Sequence, residues 1–219
     1  MNAELQSGLE QGLEAMGLAL PCAAREKLVS YIELLAKWNA TYNLTAIRDR
    51  AQMVSHHLLD SLALARFLKP GRLLDVGSGG GLPGIVLAIW AEAAMPPLEV
   101  TVLDANHKKA AFLRQAKAEL KLDRVEVCDE RVEAWHPATG FGQITSRAFS
   151  DLGEFFQLTR HLAIGDETRW LAMKGVHPHE EIAQLPPECA VEAVHRLAVP
   201  GLAGERHLVV MKSLKGTVR

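Results

Sequence analysis

The sequence is poor in the features that mark secreted, membrane-spanning or metal-binding proteins. Its three cysteines, Cys22, Cys128 and Cys189, lie far apart and form no C-x-x-C pair, so we expect reduced thiols and no disulfide framework. No apolar run approaches the ~20 residues that cross a bilayer. The first residues also lack the basic and apolar regions of a signal peptide. We therefore expect a cytoplasmic protein without a membrane segment.

The chain also has no excess of positive charge. The net charge is −2, which gives the whole chain no attraction for nucleic acid. The paired histidines at residues 56–57 and 177–179 have no cysteine or acidic partner at ligand spacing, so no metal site is expected. At 219 residues with 48% hydrophobic side chains, the chain can form one domain with a sizeable core, or one domain and a small extension.

Glycine, in contrast, is concentrated in one stretch, residues 72–90. An apolar run at 73–76 is typical of a buried parallel strand. A glycine-rich turn follows, and a second apolar run begins at Pro83, a residue that suits the first turn of a helix. The order strand, turn, helix lets the main chain approach a ligand closely and turns the unpaired N–H groups of the helix toward it.

The residues around the glycines narrow the choice of ligand. A dinucleotide fingerprint, G-x-G-x-x-G, is not met because Leu82 occupies its last glycine place. The pattern present is Asp75-x-Gly77-x-Gly79-x-Gly81, whose carboxylate repels a pyrophosphate but can pair with an ammonium group, directly or through water. It resembles motif I of the class I S-adenosylmethionine-dependent methyltransferases, whose cofactor carries an α-amino group and no phosphate. A nucleotide site, or a tight turn without a ligand, stays open on this pattern alone.

The remaining chain divides into a helical part and an alternating part. Apolar residues at helical spacing predict helices at 5–18, 23–41 and 53–68, so we interpret residues 1–68 as an N-terminal helical extension packed on the rest. Residues 69–219 alternate between strands and helices, with strands predicted at 73–76, 99–103, 125–128, 142–146 and 169–173. Two further strands, 191–199 and 206–212, are joined by a loop too short for a parallel return. The predicted fold is α/β: the Rossmann-like sheet of a class I methyltransferase, five parallel strands plus a C-terminal antiparallel hairpin.

Polar residues follow the predicted strands, at the edge where such sheets bind ligands. Asp104 comes 27 positions after Gly77, close to the place of an acid that binds ribose hydroxyls; an exposed aspartate that caps the next helix is the alternative. Residues 129–133 offer an acceptor and an apolar wall to an adenine ring. Arg147 can pair with a carboxylate or phosphate, or form a surface salt bridge, and Lys174 presents the same choice.

Two absences bear on the reaction. The exit of the fourth strand reads Ser146-Arg147-Ala148-Phe149 and lacks the N-P-P-Y type segment that commonly serves amino-group methylation. It also lacks the cysteine nucleophile that carbon-5 methylation of pyrimidines needs. Guanine N7 requires neither, since its lone pair is free and no proton leaves. We therefore expect no obligatory catalytic side chain, and catalysis by positioning and desolvation.

The chain resembles the bacterial 16S rRNA guanine-N7 methyltransferases of the G type, also called the glucose-inhibited division protein B family. The similarity covers nearly the whole chain, in these segments: Lys37-Trp38-Asn39, Tyr42-Asn43-Leu44-Thr45, His57-Leu58-Leu59-Asp60-Ser61, Asp75-Val76-Gly77-Ser78-Gly79, Gly81-Leu82-Pro83-Gly84, Phe112-Leu113-Arg114, Arg131-Val132-Glu133, Ser146-Arg147-Ala148-Phe149 and Gly204-Glu205-Arg206-His207-Leu208-Val209-Val210. Gly80 departs from the pattern, since many relatives have proline there. So many short matches in order are far more specific than the glycine turn alone.

The resemblance implies methyl transfer from S-adenosylmethionine, which leaves S-adenosylhomocysteine, to the guanine at position 527 of 16S rRNA. The partner would be 16S rRNA or an assembly intermediate of the 30S subunit, and we expect a monomer. The implied cofactor contacts are Gly77, Leu82, Asp104, Ala105, Asn106, Val132, Glu133 and Arg147. Asp75, Gly79 and Gly81 join this set on the glycine pattern described above.

Contacts with RNA must come from local basic surface because the net charge is negative. The candidates are Asn43, Arg48, Arg50, Arg147, Lys174, Lys212 and Arg219; solvated surface charge is the alternative for each basic residue. Two other functions stay open: a nicotinamide-dependent oxidoreductase, which would share the sheet and Asp104, and a ribosome-assembly factor that binds the cofactor without turnover.

Overall fold

A seven-stranded sheet forms the centre of the molecule. The structure is a computed structural model that describes residues 2–95, 97–147, 149 and 151–214. The strands are β1 (Gly71–Val76), β2 (Leu98–Leu103), β3 (Val125–Cys128), β4 (Gln143–Ser146), β5 (Arg169–Lys174), β6 (Cys189–Arg196) and β7 (His207–Ser213). Their order is β3-β2-β1-β4-β5-β7-β6. The first five are parallel, and β7 is antiparallel to β5 and β6. The predicted sheet is confirmed.

Both faces of the sheet are covered, as the apolar strands require. The helices are α1 (Asn2–Ala15), α2 (Cys22–Tyr42), α3 (Arg50–Met53), α4 (Asp60–Leu62), α5 (Gly84–Ala94), α6 (His107–Glu119), α7 (Leu152–Thr159) and α8 (His179–Ala183). Leu73 of β1 belongs to the core cluster that includes residues of α1, α2, α5 and α6. Its neighbour Leu74 belongs to the opposite cluster, with α7. The helices before β1 thus share a core with the sheet, while a domain boundary at residue 68 remains a prediction.

The third predicted helix differs from the structure. Instead of a continuous α-helix over 53–68, the chain forms α3, a π-helical segment at Val54–Leu59, α4 and a 3₁₀ turn at Ala65–Phe67. The amide of Asp60 donates to the carbonyls of Ser55 and His57, so the carbonyl of His56 loses the partner an α-helix would give it. Arg147 Nη1 donates to that carbonyl at 3.1 Å. Helical periodicity could not reveal this because the replacement partner lies 91 residues away.

The structure also bears on cysteine and membrane expectations. All three cysteines are free, with Cys128 and Cys189 buried. None of the helices in the part of the chain described above is long and apolar enough to cross a bilayer.

Candidate active site

The glycine turn, residues 77–82, connects β1 to α5 and is held by the end of β2. The amides of Gly77 and Ser78 both donate to the carbonyl of Leu103, at 2.9 and 3.0 Å. The amides of Gly81 and Leu82 donate in turn to the carbonyl of Ser78. Gly77, Gly79 and Gly81 all have positive φ, a conformation that glycine adopts without strain. The turn therefore has a defined shape fixed by main-chain contacts.

Asp75 anchors the turn from below. Its carboxylate is fully buried; Oδ2 accepts from the Ser78 hydroxyl at 2.5 Å and from the Gly84 amide at 2.8 Å. Burial raises the pKa of this carboxyl to about 6, against the opposing effect of these two hydrogen bonds. Oδ1 is buried and has no hydrogen-bond partner among the described residues. The predicted pairing of Asp75 with an ammonium group stays a prediction, and its structural role is to tie the turn to the start of α5.

Asp104 contacts the turn directly. It follows β2 and is 7% exposed, so the alternative of an exposed aspartate does not describe it. Oδ2 accepts from the Gly79 amide at 2.8 Å and Oδ1 from the Asn106 amide at 2.9 Å. The helix cap is instead Asn106, whose side chain accepts from the amides of Lys108 and Lys109. Asp104 and Gly79 thus lie together where the sequence predicts a ribose and a close main-chain approach.

The other predicted cofactor contacts lie along the same edge. Ala105 and Asn106 lie between β2 and α6, Ala105 exposed and Asn106 at the helix cap. Val132 is buried and Glu133 exposed, in the turn that follows β3. The Asp104 amide donates to the carbonyl of Cys128 at 3.1 Å, which keeps the ends of β2 and β3 together. Leu82, at the end of the turn, is buried.

The exit of β4 links the turn to a second feature. The Ser146 hydroxyl donates to the carbonyl of Val76 at 2.9 Å, so the ends of β4 and β1 adjoin. The next residue, Arg147, borders a cavity of about 440 Å³. This arginine cavity is lined by Thr45, Ala46, Ile47, His56, His57, Asp60, Arg147, Met173, Lys174, Gly175 and Arg206.

Two arginines share one buried carboxylate at this cavity. Asp60 is 2% exposed. Its Oδ2 lies 3.3 Å from Arg147 Nη1, and its Oδ1 lies 3.1 Å from Arg206 Nε. The side chains of the two arginines are about a quarter exposed, 26% for Arg147 and 28% for Arg206. The carboxylate therefore orients both cations while they remain open to solvent.

His57 lies beside this pair as a neutral side chain. Burial, with a further contribution from the charge of Arg147, lowers its pKa to about 4. Its Nε2 is 2.9 Å from the Thr45 hydroxyl. The loop that carries Thr45 is held in turn by Asn39, whose side chain accepts from the Thr45 amide at 2.9 Å. These contacts join the end of α2 to the π-helical segment.

The predicted RNA contacts are not all brought together. Asn43 and Arg48 are exposed and Arg50 is partly exposed on the segment that leads to the cavity. Lys174 lines the cavity but pairs with Glu181, at 2.6 Å. Lys212 pairs in register with Arg169, which places it at the amino end of β5, across the sheet from the turn. Arg219 lies outside the described residues. As RNA contacts, all of these remain predictions.

Three contributors to the site could not be predicted from the sequence. Asp60 and Arg206 lie in segments that carry the family resemblance, yet no role follows from either segment alone. The Tyr31 hydroxyl, fully buried in α2, donates to the carbonyl of Gly80. Burial raises the pKa of Tyr31 and keeps it a donor. The one available signal for Tyr31 is a polar hydroxyl on the buried face of a helix.

Cavities larger than the arginine cavity also lie elsewhere among the described residues. One of about 570 Å³ lies between α1, the π-helical segment and Gly201, and another of about 630 Å³ lies between α6 and β3. The first is away from the carboxyl ends of the parallel strands. The second is lined by residues 114–127 and includes none of the turn or Asp104. Neither is lined by the residues that the strand ends bring together, so volume alone does not identify the site.

This parallel sheet, with its glycine turn and antiparallel C-terminal strands, is the fold of the class I S-adenosylmethionine-dependent methyltransferases. The structure of the glycopeptide N-methyltransferase MtfA, solved with S-adenosylhomocysteine, is similar, with a TM-score of 0.60 at 13% identity over 72% of this chain and 87% of that one.

The family model described as rRNA small subunit methyltransferase G matches residues 24–209, and the chain belongs to that family. The ribosomal RNA small subunit methyltransferase G of Pseudomonas aeruginosa is 53% identical over 93% of this chain and 94% of its own length. The enzyme of the same name from Chromobacterium violaceum is 56% identical over 93% and 95%. Membership of this family confirms the resemblance and removes the nicotinamide-dependent alternative.

Proposed function

We propose that this protein transfers a methyl group from S-adenosylmethionine to N7 of a guanine in 16S rRNA, at position 527, in the cytoplasm and as a monomer. The observation that carries the proposal is the juxtaposition, at one edge of the sheet, of the glycine turn with Asp104 and a cavity lined by cations. The turn suits the cofactor and the cavity suits an anionic polymer. Family membership supports both the reaction class and the RNA substrate.

The residues of the turn fit the cofactor. A Cβ added at Gly79 would meet nothing nearer than the Gly77 carbonyl, at 3.8 Å, so the main chain there borders open space. Each oxygen of Asp104 accepts one main-chain N–H and retains a lone pair for a ribose hydroxyl. The buried Oδ1 of Asp75 can accept from an ammonium group through water. When bound, this cofactor supplies a methyl group on a positively charged sulfur.

Further cofactor contacts complete the assignment. We assign the adenine to the surface formed by Ala105, Asn106, Val132 and Glu133. Gly77, Gly81 and Leu82 shape the turn under the methionine part, and Arg147 faces the boundary between cofactor and RNA.

The groups around the cavity favour an acceptor that loses no proton. His57, with a pKa of about 4, is a weak base. Asp60 is engaged by two arginines, and the Ser146 hydroxyl is committed to a main-chain carbonyl. Guanine N7 attacks a methyl group through a free lone pair, so these side chains need only position the base and exclude water.

The test is to incubate the protein with labelled S-adenosylmethionine and, separately, naked 16S rRNA and 30S particles, with 23S rRNA as the control. Digestion and mass spectrometry then identify the methylated nucleoside and its position. We expect N7-methylguanosine at one nucleotide of 16S rRNA and none in 23S rRNA. No incorporation into either substrate would overturn the methyltransferase proposal. Label on another atom or nucleotide would overturn only the N7 assignment at position 527.

A further inference from the structure

Asp60 is too deeply buried to contact a ligand, so any effect that it has on binding must act through the residues that it orients. Its two oxygens are divided between Arg147 and Arg206, at 3.3 and 3.1 Å. These arginines come from the ends of different elements, β4 and the loop before β7, 87 and 146 residues from Asp60. One carboxylate therefore sets the separation and direction of two guanidinium groups that the chain does not otherwise link.

Main-chain carbonyls also help to orient the two guanidinium groups. Arg147 Nη1 also donates to the carbonyl of His56, which the Asp60 amide does not bind in the π-helical segment. Arg206 Nη1 donates to the carbonyl of Glu205 at 2.9 Å. Among the described residues, these contacts use only Nη1 of Arg147 and only Nε and Nη1 of Arg206. The Nη2 groups remain available to a ligand in the cavity.

The net charge of the cluster formed by Asp60, Arg147 and Arg206 favours an anionic ligand in the cavity. Two arginines against one aspartate leave the cluster with a surplus of one positive charge, while Lys174 is neutralised by Glu181. Guanidinium groups present donors in a planar fork that matches the oxygens of a phosphate. The Ser146–Val76 hydrogen bond joins the ends of β4 and β1, so an anion held in the cavity would lie close to the glycine turn.

We propose that Asp60 is a positioning residue that holds Arg147 and Arg206 as a clamp for a backbone phosphate of the RNA, next to the guanine that receives the methyl group. The proposal rests on the proposed function and deepens it by naming the group that the cavity binds. The clamp acts on RNA binding, whereas the turn and Asp104 hold the cofactor, with Arg147 at the boundary between the two ligands.

The first test compares Arg206→Gln with Arg169→Gln. Arg169 is a matched control, since it pairs with Glu192 at 3.3 Å and donates to the carbonyl of Phe67, but at the amino end of β5. We expect Arg206→Gln to weaken binding of 16S rRNA about tenfold, because a hydrogen-bonded charge is removed. Its log–log salt slope should become shallower by about 0.7–0.9. Arg169→Gln should match the parent in both quantities.

The second test separates positioning from charge, with Asp60→Asn and Asp60→Glu. If Asp60 acted only as a negative charge near RNA, Asp60→Asn would tighten RNA binding. A clamp requires the opposite, a loss of about tenfold, with partial recovery in Asp60→Glu, which keeps a carboxylate. Thermal unfolding and calorimetry with S-adenosylhomocysteine, run on every variant, test whether the protein is folded and whether cofactor affinity is retained.

The outcomes are distinct. If the parent methylates 16S rRNA but Arg206→Gln binds RNA like Arg169→Gln, the clamp is wrong and the proposed function stands. Tighter RNA binding by Asp60→Asn would also overturn the clamp. A loss of cofactor affinity in folded Arg206→Gln, with RNA binding unchanged, would assign the arginines to the cofactor instead. A parent that methylates no RNA would overturn the proposed function itself. Should Asp60→Asn fail to fold, Arg206→Gln and its control decide the question.

Discussion

The glycine turn and the arginine cavity lie side by side at one edge of the sheet, yet they are built in different ways. The turn is held mainly over short distances in the sequence: Asp75, Ser78 and Gly84 hold one another within nine residues, and the contact from Tyr31 to Gly80 spans 49. The cavity is assembled from distant segments, with contacts that span up to 146 residues. The turn presents main-chain groups in a fixed shape, whereas the cavity presents side-chain charge held by one buried carboxylate. A small, invariant cofactor suits the first arrangement, and a flexible anionic polymer suits the second.

The largest effect is expected at the first residue of α5, which Asp75 ties to the turn and which has no spare room. In Gly84→Ala the new Cβ would lie 2.5 Å from Val102 and 2.7 Å from the carboxylate of Asp75, so we expect a loss of about 2–3 kcal/mol in the free energy of unfolding. Gly8→Ala, where nothing lies within 4 Å, is the control and should gain about 0.5–1 kcal/mol as a helical position. Urea denaturation measures both. Equal stability of the two variants would show that the turn adapts and is not rigid.

His57 should give a pH-dependent effect of comparable size on the cavity side. Its pKa falls from 6.5 to about 4 on folding, so the unfolded chain binds more protons between these values and stability rises with pH across that window. Because of this shift, the free energy of unfolding should be about 3 kcal/mol larger at neutral pH than near pH 4.

Comparing the parent with His57→Gln isolates this effect from other titrating groups. The difference between their free energies of unfolding, measured by urea denaturation from pH 4 to pH 7, should change by about 3 kcal/mol over this range. A difference that is constant with pH would show that His57 is not held neutral.

Arg48 and Arg50, in the loop beside the cavity, should have a smaller effect, confined to RNA binding. Reversing the charges of Arg48 and Arg50 together should make the log–log salt slope for RNA binding shallower by about 0.7–0.9 for each phosphate that the variant no longer neutralises. Cofactor affinity, measured by calorimetry, should stay at the parent value. A double variant with the parent's RNA affinity and slope would remove this loop from the RNA surface and leave the cavity as the RNA-binding region.

The rate of methyl transfer should show no titration at all. With RNA saturating, we expect the single-turnover rate to be constant from about pH 6 to 8.5, because N7 has no proton to lose. Rapid-quench measurements with labelled cofactor provide the profile. A bell-shaped profile that disappears on replacement of one Asp, Glu or His would identify a general base and contradict the positioning mechanism.

The same contrast explains how far the sequence could be interpreted. The strands themselves, the glycine turn and the place of Asp104 at a strand end follow from short-range patterns, since apolar runs and glycine spacing are local in the sequence. Asp60 and Arg206 do not, because their pairing depends on how the segment before β1 packs against the ends of β5 and β7. The π-helical segment is unpredictable for the same reason. Helical periodicity predicts which face of a helix is buried. It does not predict that a distant arginine will donate to one of the helix's main-chain carbonyls.

Titration of S-adenosylhomocysteine and of 16S rRNA, separately, into Gly79→Val and Arg206→Gln shows whether the turn and the cavity bind different ligands. Gly17→Val is the control for strain, since Gly17 has φ +65° and Gly79 has φ +59°, and nothing lies near either Cβ except the Gly77 carbonyl. We expect Gly79→Val to lose cofactor binding and keep RNA affinity, Arg206→Gln to lose RNA affinity and keep cofactor binding, and Gly17→Val to keep both. Unchanged cofactor affinity in folded Gly79→Val, or equal losses of both ligands in each variant, would contradict this expectation.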